Sequence, residues 1–359
     1  MTPPRMPQPR EDLRGMSQYG ARPPGNVVRL NANEWPEPTP AARYMSEAEL
    51  EGLLLNRYPS PAVELRQVLA DQYGVRPDQL LFGNGSNDAI LSLFLIFGGH
   101  GRRTLLFRPT YELHGRLTVV AGGTVATEMV GLPYRLTKDR ALAALERERP
   151  AIVVFCTPNN PTGTLIDDDV ILAVAERFPE TLVLLDEAYA DIAGRTLLPA
   201  VAAHPNLVIS KTLSKVHAAA GLRMGVLVLH PDLAESIRPI QLGFNVSVVT
   251  YALAARIASD EASVRERIEK VKAERERVYR ALRSTHGVEP FPSEANFLLF
   301  RIDGDTAAAH ARFLDQGVLI RDMSSWKGCE GCLRVSIGTP AENDRFLAAL
   351  AAVFTPAAA

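Results

Sequence analysis

The chain has 359 residues, 47% of them hydrophobic and 22% charged, enough apolar content to bury a large core and to divide into two unequal domains. Its 39 basic and 41 acidic side chains leave a formal charge of −2. No general basic field therefore points to nucleic acid or an anionic membrane, and small-molecule partners are expected instead. Three cysteines, Cys156, Cys329 and Cys332, are too few for a disulfide framework, and a single C-x-x-C lacks the second pair of a zinc site, so no metal is expected.

Residues 1–33 read as a loose N-terminal arm. Its first ten residues hold four prolines and no apolar core behind a basic start. No apolar run in the chain reaches the roughly 18 residues of a membrane span, and a cytoplasmic location is expected. Residues 34–260 read as a large domain. From Pro61 to His230 strand-like and helical segments alternate, which predicts a mostly parallel sheet with helices on both faces.

The strands expected there are Leu80-Phe82, Thr104-Arg108, Ala151-Cys156, Thr181-Asp186, Leu207-Ser210 and Met224-Leu229, short and apolar as buried parallel strands should be. In such sheets functional loops follow the carboxyl ends of strands. Residues 261–359 read as a smaller α+β domain that packs with part of the arm. It opens with the charged amphipathic helix Val264-Leu282 and continues through strands Asn296-Arg301, Val318-Arg321 and Leu333-Ile337, with helices Thr306-Gln316 and Ala341-Phe354.

The chemistry lies in the loops. Gly83-Asn84-Gly85-Ser86-Asn87 joins a strand to an apolar helix, where backbone amides with the Ser86 hydroxyl at a positive helix terminus read as a phosphate cradle or, taken alone, as a plain N-cap. Pro109-Thr110-Tyr111 offers an aromatic face for a ring. Asp186 closes an apolar strand, where a carboxylate requires a cationic partner such as a protonated pyridine nitrogen. Tyr189 and Asn160 are in reach of that ring's phenolic oxygen.

In Ser210-Lys211-Thr212-Leu213-Ser214-Lys215, followed by Gly221-Leu222-Arg223, the lysine and the arginine stand eight residues apart across a glycine. Lys215 supplies an amine for a cofactor aldehyde and Arg223 a bidentate donor for its phosphate. Lys211 is the rival lysine, set aside because the spacing to Arg223 favours Lys215. Together these groups match pyridoxal 5′-phosphate.

In their order the motifs resemble those of the fold-type I aminotransferases, and among them the histidinol-phosphate aminotransferases, from about Tyr19 to Phe354. The resemblance rests on Leu30-Asn31-Ala32-Asn33-Glu34, Asn56-Arg57-Tyr58-Pro59, Pro109-Thr110-Tyr111, Asn159-Asn160-Pro161-Thr162-Gly163, Asp186-Glu187-Ala188-Tyr189, Thr212-Leu213-Ser214-Lys215, Gly221-Leu222-Arg223 and Cys332-Leu333-Arg334-Val335. It implies a fold-type I α/β architecture and a transaminase of histidine biosynthesis. That enzyme moves an amino group from L-histidinol phosphate to 2-oxoglutarate.

By the same resemblance Lys215 bonds the cofactor aldehyde, Asp186 pairs with the ring nitrogen, and Tyr111 stacks on the ring. Ser86, Asn87, Thr212, Ser214 and Arg223 surround the phosphate. Tyr58 reaches the cofactor of a neighbouring subunit, which implies a homodimer. Tyr19, Asn33, Arg321 and Arg334 form the substrate set. Asn87, His114 and His217 depart from the residues usual at their positions. Transamination of aromatic or specialised amino acids, and decarboxylation of a phosphorylated amino acid, are the alternatives.

Overall fold

A computed structural model describes residues 6–16, 25–60 and 62–354. In chain order the strands are β1 (Val28–Arg29), β2 (Leu80–Asn84), β3 (Arg103–Arg108), β4 (Thr124–Met129), β5 (Ile152–Cys156), β6 (Leu182–Asp186), β7 (Leu207–Thr212), β8 (Met224–Val228), β9 (Val288–Pro290), β10 (Phe297–Ile302), β11 (Val318–Leu319), β12 (Arg321–Asp322) and β13 (Cys332–Ser336). Seven of them form one sheet in the order β2-β8-β7-β6-β5-β3-β4.

Only β8 runs against the others, pairing antiparallel with both β2 and β7. The mostly parallel sheet expected from the alternation is the sheet observed. Successive strand residues point to opposite faces, and here both faces are apolar. Val153, Phe155, Val183, Leu185, Leu207 and Ile209 enter one core, whereas Ile152, Val154, Leu182, Leu184 and Val208 enter the other. Helices cover both faces, among them Ser86–Phe97, whose Ile90, Leu93 and Phe94 are fully buried.

This strand order has a direct consequence for function. The carboxyl ends of β2, β3, β5, β6 and β7 all open at one edge of the sheet, and the reversed β8 begins there. The loops at Gly85, Pro109, Thr157, Glu187 and Leu213, with Arg223 just ahead of β8, are thereby gathered along one rim.

The C-terminal strands make a separate antiparallel sheet, β12-β13-β10-β9, with its own core of Leu298, Phe300, Phe313, Leu333, Val335 and Phe346. The N-terminal strand β1 joins this side of the molecule by pairing in parallel with β11. Farther upstream, Arg10 donates from Nη2 to the carbonyls of Val119 (2.6 Å) and Val120 (3.3 Å), so this part of the expected loose arm is tied to the helix Glu112–Val120. Among the described residues, no helix is long and apolar enough to cross a membrane.

Candidate active site

Between the rim of the large sheet and the C-terminal sheet lies a cavity of about 720 Å³. Its wall contains Ser86, Asn87, Tyr111, Asn160, Asp186, Tyr189, Thr212, Ser214, Lys215 and Arg223 from the large sheet, and Asn33, Arg321 and Arg334 from the other side. One of the expected residues is elsewhere. Tyr58 is 79% exposed and stacks on Phe244 with ring centroids 4.6 Å apart. Tyr19 lies outside the described residues.

Lys215 is partly buried in the wall and donates from Nζ to the Asn33 carbonyl at 3.2 Å. Loss of solvation and then the nearby Arg334 guanidinium lower its pKa from 10.5 to about 8, opposed by the carboxylates of Glu34 and Asp186. A neutral amine, and hence a nucleophile, is thereby accessible near neutral pH. Lys211 is in the opposite situation. It is 3% exposed, with Nζ 2.6 Å from Asp191 Oδ1 and 3.3 Å from Glu187 Oε2. Burial works against its charge, but Asp191 and Glu187 outweigh burial and hold the ammonium above its ordinary range. The geometry thus separates the two lysines into a reactive amine and a structural cation.

Asp186, at the end of β6, is 5% exposed. Its Oδ1 accepts from the Ala188 backbone N–H at 3.1 Å, and its Oδ2 lies 3.2 Å from Nε2 of the fully buried His114. His114 was marked in the sequence only as an unusual residue after Tyr111. Its spacing held the signal: three residues apart on a helical turn, Tyr111 and His114 share a face, and their rings meet edge-on at 5.3 Å. The carboxylate is held from behind and faces the cavity.

Asn160 and Tyr189 are positioned from the opposite wall. Arg334 Nη1 donates to Asn160 Oδ1 at 2.6 Å, which fixes the amide orientation and leaves its NH₂ as the donor end. Asn33 Nδ2 donates to the Tyr189 hydroxyl at 3.0 Å, so the phenol keeps its own proton to donate. Asn33 adopts a left-handed backbone (φ 54°) and is 1% exposed. Ser336 Oγ donates to its side chain at 2.9 Å, and Asn296 Nδ2 donates to its carbonyl at 3.1 Å. One residue between the two sheets therefore holds both Tyr189 and Lys215.

The end of the cavity expected to take a phosphate is built on glycine. Gly85 (φ +88°) precedes the helix Ser86–Phe97 and gives it no side-chain cap, so the first-turn N–H groups are offered to the cavity. A Cβ at Gly85 would overlap the Arg223 guanidinium. Thr212 Oγ1 donates to Ser214 Oγ at 3.0 Å beside this loop.

A second cationic group faces it. In the antiparallel pair of β12 and β13, Arg321 is directly opposite Arg334, which puts both side chains on one face of the sheet. Like charges in that position are unfavourable unless an anion lies between them. Sequence reasoning had named both arginines but not this register. It also passed over Arg29, His310, Asp322 and Trp326, which complete the wall.

Three features of the cavity now stand together: an amine with a lowered pKa, a buried carboxylate beside it, and cationic or N–H donor groups at both ends. Residues 25–350 match the family model described as aminotransferase class I and II. The histidinol-phosphate aminotransferase of Frankia casuarinae is 39% identical over 370 residues, covering 96% of this chain and 90% of that protein. That of Streptomyces avermitilis is 37% identical over 355 residues, covering 95% of each. Among solved structures, the histidinol-phosphate aminotransferase of Sinorhizobium meliloti in complex with pyridoxal 5′-phosphate superposes with a TM-score of 0.81 at 26% identity, covering 91% of each chain. The fold-type I architecture expected from the motifs is the one found, and the chain belongs to the aminotransferase class I and II family.

Proposed function

We propose that this protein transfers an amino group from L-histidinol phosphate to 2-oxoglutarate, using pyridoxal 5′-phosphate attached at Lys215, as a step of histidine biosynthesis. The observation that carries the substrate is the pair Arg321 and Arg334, directly opposed on neighbouring strands and facing the cavity that contains Lys215. Two adjacent guanidinium groups suit a phosphate, and Arg334 alone suits the carboxylate of glutamate. The names of the relatives support the same reading.

The residues fit the cofactor. Gly85, having no side chain, lets the Arg223 guanidinium pack against the start of the helix Ser86–Phe97, where Ser86 and Asn87 line the cavity, and the buried Asp186 carboxylate lines it too. When bound, pyridoxal phosphate supplies an aldehyde and an electron-accepting ring. Ser86, Asn87, Thr212, Ser214 and Arg223 hold its phosphate. Asp186 would accept a hydrogen bond from the protonated ring nitrogen, and His114 keeps that carboxylate in place. The Asn160 amide and the Tyr189 hydroxyl donate to the phenolic oxygen, and Tyr111 covers one face of the ring. Lys215, neutral, would supply the amine that holds the aldehyde, and when free it would be the base that carries a proton between the substrate Cα and C4′ of the cofactor.

The active unit in this reading is a cytoplasmic homodimer. Tyr58 and Phe244 stand among exposed Leu54, Leu55, Ile240 and Leu242, an apolar patch of the kind that is covered by a partner. Tyr58 would there reach the second subunit's phosphate site. The separate cores support a division into the arm 1–33, a cofactor domain 34–260 and a smaller domain 261–359.

The test is product analysis with purified protein, pyridoxal phosphate, L-histidinol phosphate and 2-oxoglutarate. Glutamate formed in step with amine consumed is the expected result. Release of carbon dioxide without glutamate would replace the transaminase with a decarboxylase.

A further inference from the structure

A transaminase meets two chemically different partners in one cavity. In the reading above, the donor carries one anionic end and an imidazole ring with an N–H donor, whereas glutamate and 2-oxoglutarate carry two carboxylates. Arg321 and Arg334 serve one anion. The ring then needs an acceptor in the first half-reaction, and the second carboxylate needs a cation in the other.

Among the described residues, one ion pair has both members in the cavity wall: Arg29 Nη2 donates to Glu34 Oε2 at 2.8 Å. Arg29 ends β1, opposite Leu319 of the parallel β11, and Arg321 follows two residues on. Glu34 comes directly after Asn33, whose carbonyl accepts from Lys215. The pair therefore reaches from the arginine-rich wall toward the reactive amine. Its side chains are 49% and 44% exposed, so water screens it and a ligand can replace either member readily.

We infer that Arg29 and Glu34 form an exchangeable recognition pair: Glu34 accepts from the ring N–H of the imidazole donor, and Arg29, released from Glu34, binds the distal carboxylate of the dicarboxylic partner. This inference rests on the substrate assignment above. It gives one wall two specificities without moving the backbone.

The test uses the holoenzyme with Glu34→Gln, Arg29→Gln and Arg29→Lys. Calorimetry follows binding of glutarate, an unreactive dicarboxylate, and the half-reactions are run with L-histidinol phosphate and with L-glutamate. Loss of a charged hydrogen bond in Glu34→Gln should raise the KM for L-histidinol phosphate about tenfold or more. The same change should tighten glutarate binding, because Arg29 is set free. Arg29→Gln should weaken glutarate binding about tenfold and raise the KM for glutamate at least about tenfold more than the KM for L-histidinol phosphate. Arg29→Lys should recover part of the loss.

Equal effects of either change on both ligands would mark a merely structural pair and overturn the inference, as would no effect on either. If the unaltered enzyme converts glutamate but not L-histidinol phosphate, the substrate assignment fails and the role of Glu34 fails with it. The glutarate measurements would still decide the role of Arg29.

Discussion

At pH 7 an ordinary lysine with a pKa near 10.5 is neutral in roughly 0.03% of molecules, whereas one at about 8 is neutral in about 9%, a gain of roughly 300-fold in reactive amine. Lys215 should show that gain directly. Stopped-flow capture of pyridoxal phosphate by the apoprotein should accelerate about tenfold per pH unit below the midpoint and level off above about pH 8. Two neighbours set the position of the midpoint in opposite senses. Arg334 disfavours the ammonium, so Arg334→Gln should move the midpoint up. Glu34 favours it, so Glu34→Gln should move the midpoint down. A midpoint near 10 in the unaltered protein would refute the reasoning, and so would a shift of both variants in the same direction.

Three further changes probe the supports of the site. Gly85→Ala combines a left-handed backbone with overlap on Arg223, and should cost about 1–3 kcal/mol in thermal unfolding of the apoprotein while weakening cofactor retention. Normal retention would remove Gly85 and Arg223 from the phosphate site. Lys211→Met leaves Glu187, 1% exposed, and Asp191 without their cation, and should lose roughly 3–5 kcal/mol in urea unfolding with the cofactor still bonded at Lys215. Loss of the covalent bond in that variant would reverse the assignment of the two lysines. Phe244→Asp charges the apolar patch beside Tyr58 and should shift sedimentation from dimer to monomer, whereas an unchanged mass would place the interface elsewhere.

How far the sequence could be read follows from where each element is buried. Strands β5, β6 and β7 are covered on both faces, so they stand out as continuous apolar runs and were located to within two residues. Strand β4 was missed because it is the edge strand, and its sequence Thr-Val-Ala-Thr-Glu-Met is half exposed with no apolar run. The helix Val248–Ser259 also went unassigned: it is apolar on most sides, without the charged face that revealed Glu261–Arg283. The segment expected as one strand over Val318-Arg321 is interrupted at Ile320, which lets β11 pair with β1 and β12 with β13.

The motifs expected to hold the cofactor were legible because most of them follow a strand, and Gly221-Leu222-Arg223 precedes one, in a sheet whose loops share one rim. What could not be read were relations across long sequence distances: the register that sets Arg321 against Arg334, the Asn33 bridge from the N-terminal segment to Tyr189 and Lys215, and the contact of His114 with Asp186. Each depends on two elements meeting in space, and composition or spacing within one element holds no trace of that meeting.

The most direct test of the central claim is a single half-reaction. The purified pyridoxal form is mixed with L-histidinol phosphate, with L-glutamate run in parallel, and the visible band of the lysine-bound cofactor is followed to the pyridoxamine form. Conversion by both amines, with Lys215→Ala lacking that band and yielding no pyridoxamine form, is the result predicted. Conversion by glutamate alone would contradict the substrate assignment, and full conversion in Lys215→Ala would contradict the assignment of the catalytic lysine.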